Sequence, residues 1–219
     1  MLPGPAQDEA ERIWRYLAAS NWAAWNDVWT GTTRHERLDR LLSAPRFDAF
    51  LKEYSVRRAS PKDQRAALRK RLATGVGKAR SGADLDRLAD SLFDDGLTHV
   101  RARSLVSKVA ALAEPEIWIP KDRFGEKGLR AILRDGKARI PRGHAPNTLE
   151  RYLHGARRVH SGGIDAAFAA MRGRFGPVPG FADPSQASFR NRVLDCWLMP
   201  LGGRVFPVRG ACFLSGSGN

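Results

Sequence analysis

The stretch SLVSKVAALAEPEIWIPKDRFGEKGL, residues 104–129, predicts two helices joined by a short apolar run. The first helix has apolar side chains at helical spacing: Leu105, Val109 and Leu112. We expect this helix over about residues 100–113, because Pro115 cannot continue it. The run at 117–119 is expected to be extended and buried, and helix is expected again over 128–133. This segment is the centre of the predicted fold.

The remaining periodic segments are also helical in pattern. Helices are expected over residues 8–29, 34–53 (interrupted near Pro45), 60–73, 84–92, from 148, 164–175 and from 183. Ser60 is the expected N-cap of the third of these, and the Gly75–Gly77 stretch is interpreted as the loop that ends it. Residues 135–147 have a loop-like composition. The residues VFPV after Arg204 have a strand-like composition, within an irregular tail over 202–219.

The predicted fold class is therefore all-α, a single compact multi-helix domain that can form two lobes around a cleft. Within it, residues 1–95 make an N-terminal basic helical part and residues 96–201 contain the central and C-terminal helices. The chain of 219 residues is long enough to bury a substantial core, and its hydrophobic content of 42% favours a folded protein.

A formal net charge of +14 favours a polyanionic partner, with nucleic acid ahead of an anionic membrane surface. No apolar run approaches the length of a membrane-spanning helix. The opening residues MLPGPAQDEAER carry no apolar signal core, so we expect a cytoplasmic protein. Its two cysteines cannot form a disulfide framework or a zinc site built on several thiolates, and no histidine has metal-ligand spacing.

Basic side chains are concentrated between residues 57 and 80, where Lys62, Arg65 and Arg69 share one face of the expected helix. Such a stripe can neutralise successive phosphates. The candidate nucleic-acid-binding residues are Lys62, Arg65, Arg69, Lys70, Arg101 and Arg103. The alternative is an ordinary solvated face of a basic protein.

Lys108 and Asp122 are the candidate catalytic residues. Lys108 lies at the border of the apolar stripe, where a lysine usually extends to water but can also line a cleft as a nucleophile. Asp122 follows the apolar run and precedes a helix, so it is equally suited to be an N-cap. From the residues alone, both alternatives stay open.

The pattern SKVAALAEPEIWIPKD resembles the catalytic segment of the helix-hairpin-helix DNA glycosylases, in particular the 8-oxoguanine DNA glycosylase branch. The resemblance covers about residues 96–130 and implies that Lys108 is the Schiff-base lysine and Asp122 the essential aspartate. The family's Gly-Val-Gly hairpin has no counterpart in THVRARSLVSK, which ends at Lys108.

The resemblance implies excision of an oxidised or modified base from double-stranded DNA, without a metal or organic cofactor. Trp118, Phe124 and Asp195 are the base-pocket candidates. For the two aromatic residues the alternative is core packing, and for Asp195 it is an ion pair with Arg190 or Arg192. We expect a monomer that does not associate with membranes. The alternative function is a non-enzymatic helical nucleic-acid-binding module, or a defence-associated module whose basic surface binds an acidic protein.

Overall fold

The chain is described here from a computed structural model. It describes residues 31–54, 60–135, 148–160, 164–176 and 187–203, together with positions 8, 10–13, 28 and 56. The predictions for most of 8–29, for the loop at 136–147, for the start of the last helix at 183–186 and for the tail from Arg204 lie outside these residues.

Helices dominate this part of the chain, and no strand occurs in it. Their bounds are α1 (Arg34–Leu41), α2 (Ala44–Glu53), α3 (Arg65–Lys78), α4 (Gly82–Asp94), α5 (Arg103–Ala113), α6 (Arg123–Asp135), α7 (Leu149–His160), α8 (Ile164–Phe175) and α9 (Ala187–Leu201). The all-α prediction is confirmed. None of these helices combines the length and apolar character that crossing a membrane requires.

Helix starts follow local capping chemistry in several places. Ser81 and Asp84 form a capping box at the start of α4, in which the serine side chain accepts from the Asp84 N–H. The Asp84 carboxylate in turn accepts 2.8 Å hydrogen bonds from the N–H groups of Arg80 and Ser81, which lower its pKa. Thr148 caps α7, as predicted, by accepting from the Arg151 N–H at 3.3 Å.

Two boundaries of α3 differ from the prediction. The helix begins at Arg65, after Gln64, and the Ser60 hydroxyl donates to the Pro61 carbonyl instead of capping a helix. It also continues through the glycines to Lys78. A Cβ at Gly75 would overlap the Leu88 side chain of α4. Gly75 therefore permits close helix packing, and the glycine-rich stretch is not the predicted terminating loop.

Two arginines on α1 bind the carbonyl ends of other helices. Arg34 donates from Nη1 to the carbonyls of Gly77 and Ala79, both at 3.0 Å, at the end of α3. Arg37 donates to the Ala113 carbonyl, at the end of α5, at 3.2 Å. Cations at helix C-termini satisfy exposed carbonyls and complement the helix dipole. Helix α1 therefore fixes the positions of α3 and α5 together.

The apolar run after α5 is only partly buried. Trp118 and Ile119 belong to the hydrophobic core, with 2% and 1% of their surface exposed, but Ile117 is 39% exposed. The Ile117 N–H bonds back to the Glu114 carbonyl, so the chain turns here before it extends. The prediction of a buried run was wrong for Ile117.

Helix α6 begins at Arg123, five residues before the predicted start at Gly128. Gly128 has a different role, because a Cβ there would overlap the Leu198 carbonyl of α9. Gly202, just after α9, would meet the Phe124 carbonyl of α6 in the same way. The absence of side chains at these two glycines allows α6 and α9 to pack backbone against backbone.

Candidate active site

Lys108 lies in the first half of α5 and is only 8% exposed. Its ammonium donates to the Tyr54 carbonyl at 3.4 Å and lies 5.6 Å from the centre of the Tyr54 ring, just after α2. Both contacts stabilise a positive charge, one through a carbonyl oxygen and the other through the ring face. Lys108 is therefore held inside the protein and does not extend to water as border lysines usually do.

Asp122 caps α6. Its Oδ1 accepts the Gly125 N–H at 2.7 Å, and its backbone carbonyl accepts the Glu126 N–H at 3.0 Å. The N-cap alternative is thus confirmed. A carboxylate held by a helix N-terminus is fixed in direction, so capping is compatible with a second, chemical role.

Ser107 joins the two segments that carry Lys108 and Asp122. Its Oγ accepts the Lys121 N–H at 2.9 Å and lies 3.4 Å from the Lys121 carbonyl oxygen. The serine is 2% exposed, so water does not compete for these bonds. Lys108 follows Ser107 in sequence, and Asp122 follows Lys121. Each candidate residue is therefore the sequence neighbour of one partner in the Ser107–Lys121 contact.

Tyr152 of α7 lies on the other side of the same segment. Its hydroxyl donates to the Pro120 carbonyl at 3.3 Å, and the residue is 2% exposed. Burial raises its pKa well above 10, and the negative charges of Asp195, Asp122 and Glu126 raise it further. The negative charges of two candidate residues, Asp122 and Asp195, therefore act on the same phenol.

Glu126 is held by two cations. It pairs with Lys121 at 2.9 Å and with Arg130 one helical turn later. Burial alone would raise the pKa of Glu126, but the hydrogen bond and charge of Lys121 and the charge of Arg130 outweigh it and lower the pKa. Lys121 is 8% exposed, so the neighbour of Asp122 is buried as an ion pair.

Asp195 is 1% exposed on α9. Its charge raises the pKa of the Tyr152 phenol. The predicted ion pair with Arg190 or Arg192 involves side chains outside the described part of the chain. Asp195 thus acts on the same phenol as Asp122, from a position far away in sequence.

The two aromatic candidates are in different environments. Trp118 is a core residue whose Nε1 donates to Glu114 Oε2 at 3.0 Å, and Glu114 also pairs with Arg34 at 2.6 Å. These contacts support the core-packing alternative for Trp118. Phe124 is half-buried and lies 5.5 Å below the Arg123 guanidinium. Phe124 is thus more exposed than Trp118.

Most of the predicted phosphate-binding arginines have partners within the protein. Arg65 pairs with Asp48 at 2.7 Å, and Arg69 donates to the Leu42 carbonyl at 3.2 Å. Both contacts join α3 to the α1–α2 region. Lys62 and Lys70 are exposed. Lys62 precedes α3, so the prediction that it shares a helix face with Arg65 and Arg69 was wrong. Among these predicted residues, the lysines present their charge to solvent while the arginines join helices.

Arg101 and Arg103 precede and begin α5, and both bind acids of α4. Arg103 pairs with Asp86 at 2.7 Å and with Asp90 at 3.0 Å. Arg101 also reaches Asp90, at 3.0 Å, but its side chain remains 56% exposed over the Phe93 ring. Of the two, Arg101 is the one whose charge is available at the surface.

Sequence reasoning did not identify Ser107, Tyr152 or Gly125 as parts of this site. Ser107 reads as a polar residue of an amphipathic helix, and Tyr152 as one member of an apolar stripe. Ser107 and Tyr152 contribute to the site because they bond to residues that lie 14 and 32 positions away in sequence. The adjacency of Ser107 to Lys108 was the only local signal.

We found no match to this chain among protein-family models, curated proteins or solved structures.

Proposed function

We propose that the protein is a DNA glycosylase with lyase activity, in which Lys108 is the nucleophile and Asp122 the carboxylate that assists it. The main support is the Ser107–Lys121 contact, which joins the residues immediately before Lys108 and Asp122. The burial of Lys108 and the fixed direction of Asp122 also favour the proposal, because catalytic groups need a held geometry.

The proposed chemistry uses only groups of this chain. With the damaged base flipped out of the duplex, the Lys108 amine, having lost a proton, attacks the anomeric carbon, and the bond from that carbon to the base breaks. The base leaves with the electron pair of that bond and is protonated. The Asp122 carboxylate stabilises the positive charge that develops on the sugar. The C1′–O4′ bond then breaks, the ring oxygen takes up a proton, and a Schiff base to Lys108 forms. Loss of a proton from C2′ to water breaks the C3′–O bond, so the 3′ phosphate leaves and the strand is cut.

Binding to double-stranded DNA is proposed to rest on exposed basic side chains, with Lys62 and Lys70 first and Arg101 next. The net charge of +14 supports a polyanionic partner, and each phosphate contact would steepen the salt dependence of affinity. We also propose a cytoplasmic location, in keeping with a chain whose two cysteines cannot form a disulfide framework.

Borohydride reduction tests the nucleophile directly. We expect the protein to form a covalent adduct with duplex DNA that contains 8-oxoguanine or an abasic site, and Lys108→Ala to abolish it. Lys52→Ala is the matched control, because Lys52 is an exposed lysine near the end of α2. Persistence of the adduct in Lys108→Ala, with mass spectrometry locating it on another lysine, would rule out the proposed role.

The second candidate is a DNA-binding module without catalysis. The Lys108–Tyr54 contacts favour it, since they give the buried ammonium a structural partner. This candidate predicts no adduct on any DNA, together with salt-sensitive binding that Lys108→Ala leaves unchanged. Trapping and binding measured on the same variant therefore separate the two functions.

A further inference from the structure

We infer that Tyr152 is a positioning residue for Asp122: its hydroxyl fixes the turn that presents the carboxylate to the reacting sugar. The inference rests on the proposed glycosylase function and adds to it a residue from α7, outside the segment that resembles the glycosylases. It is carried by the contacts of three consecutive residues, Pro120, Lys121 and Asp122.

Each of these three residues is held by a hydrogen bond with a buried side chain or a helix N-terminus. The Pro120 carbonyl accepts the Tyr152 hydroxyl at 3.3 Å. The Lys121 N–H donates to Ser107 Oγ at 2.9 Å. The Asp122 carboxylate accepts the Gly125 N–H at 2.7 Å. Two hydroxyls from two different helices thus fix the backbone immediately before a carboxylate that a third helix orients.

Gly125 shows how closely Tyr152 and Asp122 approach each other. A Cβ placed on Gly125 would lie 3.0 Å from the Tyr152 hydroxyl oxygen and 3.5 Å from Asp122 Oδ1. Both oxygens therefore border one small space, which the glycine leaves open. The carboxylate sits beside the phenol without a side chain between them.

The electrostatic surroundings of Tyr152 keep its phenol protonated. Three carboxylates act on Tyr152: Asp195 from α9, Asp122 before α6 and Glu126 within it. Lys121 faces the same region through its pair with Glu126. A phenol among negative charges remains protonated and keeps its O–H donor, so the bond to Pro120 persists over the neutral range.

Tyr152→Phe removes the hydroxyl and keeps the ring. Single-turnover excision and strand cleavage should slow by about tenfold to a hundredfold, as expected when a catalytic group shifts by a fraction of an ångström to an ångström. The apparent substrate affinity should change less than twofold, because Tyr152 touches no exposed surface. Circular dichroism and thermal unfolding establish that the variant is folded, and rates are compared per folded molecule.

A double-mutant cycle with Asp122→Asn tests whether Tyr152 acts through Asp122. If it does, Tyr152→Phe changes the residual rate of Asp122→Asn less than twofold. An equal loss in both backgrounds, or no loss in the unmodified protein, overturns the positioning role. Gly125→Ala provides a second approach, since its methyl group should separate the two oxygens and slow the same step.

The outcomes separate this inference from the proposed function. A Lys108-dependent adduct together with an unchanged rate in Tyr152→Phe leaves the glycosylase function standing and overturns the role of Tyr152. The absence of both base excision and any borohydride-trapped adduct overturns the function itself and the positioning role with it.

Discussion

Asp86 and Glu150 each cap the helix that carries the other. The Asp86 carboxylate, from α4, accepts the first two N–H groups of α7, from Leu149 at 2.9 Å and Glu150 at 3.1 Å. The Glu150 carboxylate accepts the Ala83 N–H, in the first turn of α4, at 2.9 Å. Two helix N-termini thus meet, and each supplies the negative charge that the other's dipole requires.

Removing either carboxylate should weaken the packing of α4 on α7. We expect Glu150→Ala to cost about 1 kcal/mol, the usual worth of a helix cap. Asp86→Ala should cost more, about 2–3 kcal/mol, because it also leaves Arg103 with one acid fewer. Urea unfolding of both single variants and the double variant measures the coupling. Strictly additive losses would mean that the two caps act independently.

The glycines of α6 and α8 should respond in opposite directions to alanine. Gly128→Ala places a methyl group on the Leu198 carbonyl and should destabilise the protein by about 1–3 kcal/mol, as overpacking does. Gly173 lies in α8, and a methyl group added there would meet no atom within 4 Å. Gly173→Ala should therefore stabilise by about 0.5–1 kcal/mol through helix propensity. Thermal unfolding measures the shift in Tm of each variant relative to the unmodified protein. Similar shifts in Tm would contradict the close approach of α6 and α9.

Tyr152 should make the free energy of unfolding depend on pH in the alkaline range. Its pKa is raised in the folded protein relative to the unfolded chain, where it is about 10. The neutral phenol is therefore favoured by folding, and its contribution is complete below about pH 10 and is lost as the pH rises toward the folded pKa. Urea unfolding between about pH 8 and 11 should show a steeper loss for the unmodified protein than for Tyr152→Phe. Parallel curves would indicate that the phenol ionises normally.

The lysines and arginines of the basic stripe should give different phenotypes. Lys62→Ala combined with Lys70→Ala should reduce the slope of log affinity against log salt by about 2 and leave stability unchanged, since both side chains are exposed. Arg65→Ala combined with Arg69→Ala should lower the free energy of unfolding, because each arginine joins α3 to the α1–α2 region. DNA binding at several salt concentrations, with urea unfolding alongside, tests both. An unchanged salt slope in the lysine variant would place the DNA contact elsewhere.

Local signals in the sequence predicted two helix boundaries correctly, whereas the expected N-cap at Ser60 was wrong. Thr148 marks the start of α7 through its own side chain, and Pro115 marks the end of α5 by lacking an N–H. The glycines misled the prediction, because a glycine that ends a helix and one that admits a neighbouring helix look the same in one sequence. Gly75 and Gly128 belong to the second kind, and only the positions of Leu88 and Leu198 reveal it.

The candidate site could be predicted only in part, for a related reason. Lys108 and Asp122 stand out by residue type and by their resemblance to a known segment. The groups that hold them, Ser107 and Tyr152, act through single hydrogen bonds to backbone atoms distant in sequence. No periodicity or composition encodes such bonds, which arise only when α5 and α7 pack on either side of residues 120–122.

The hold of α1 on two other helices constrains the order in which the chain can fold. Arg37 precedes its acceptor Ala113 by 76 residues, and Arg34 precedes Ala79 by 45. During synthesis α1 emerges before α3 and α5, so its arginines gain these partners only after both helices have been made. Helix α1 is therefore fixed against α3 and α5 only after both have been made, and such distant contacts favour slower folding than local contacts do.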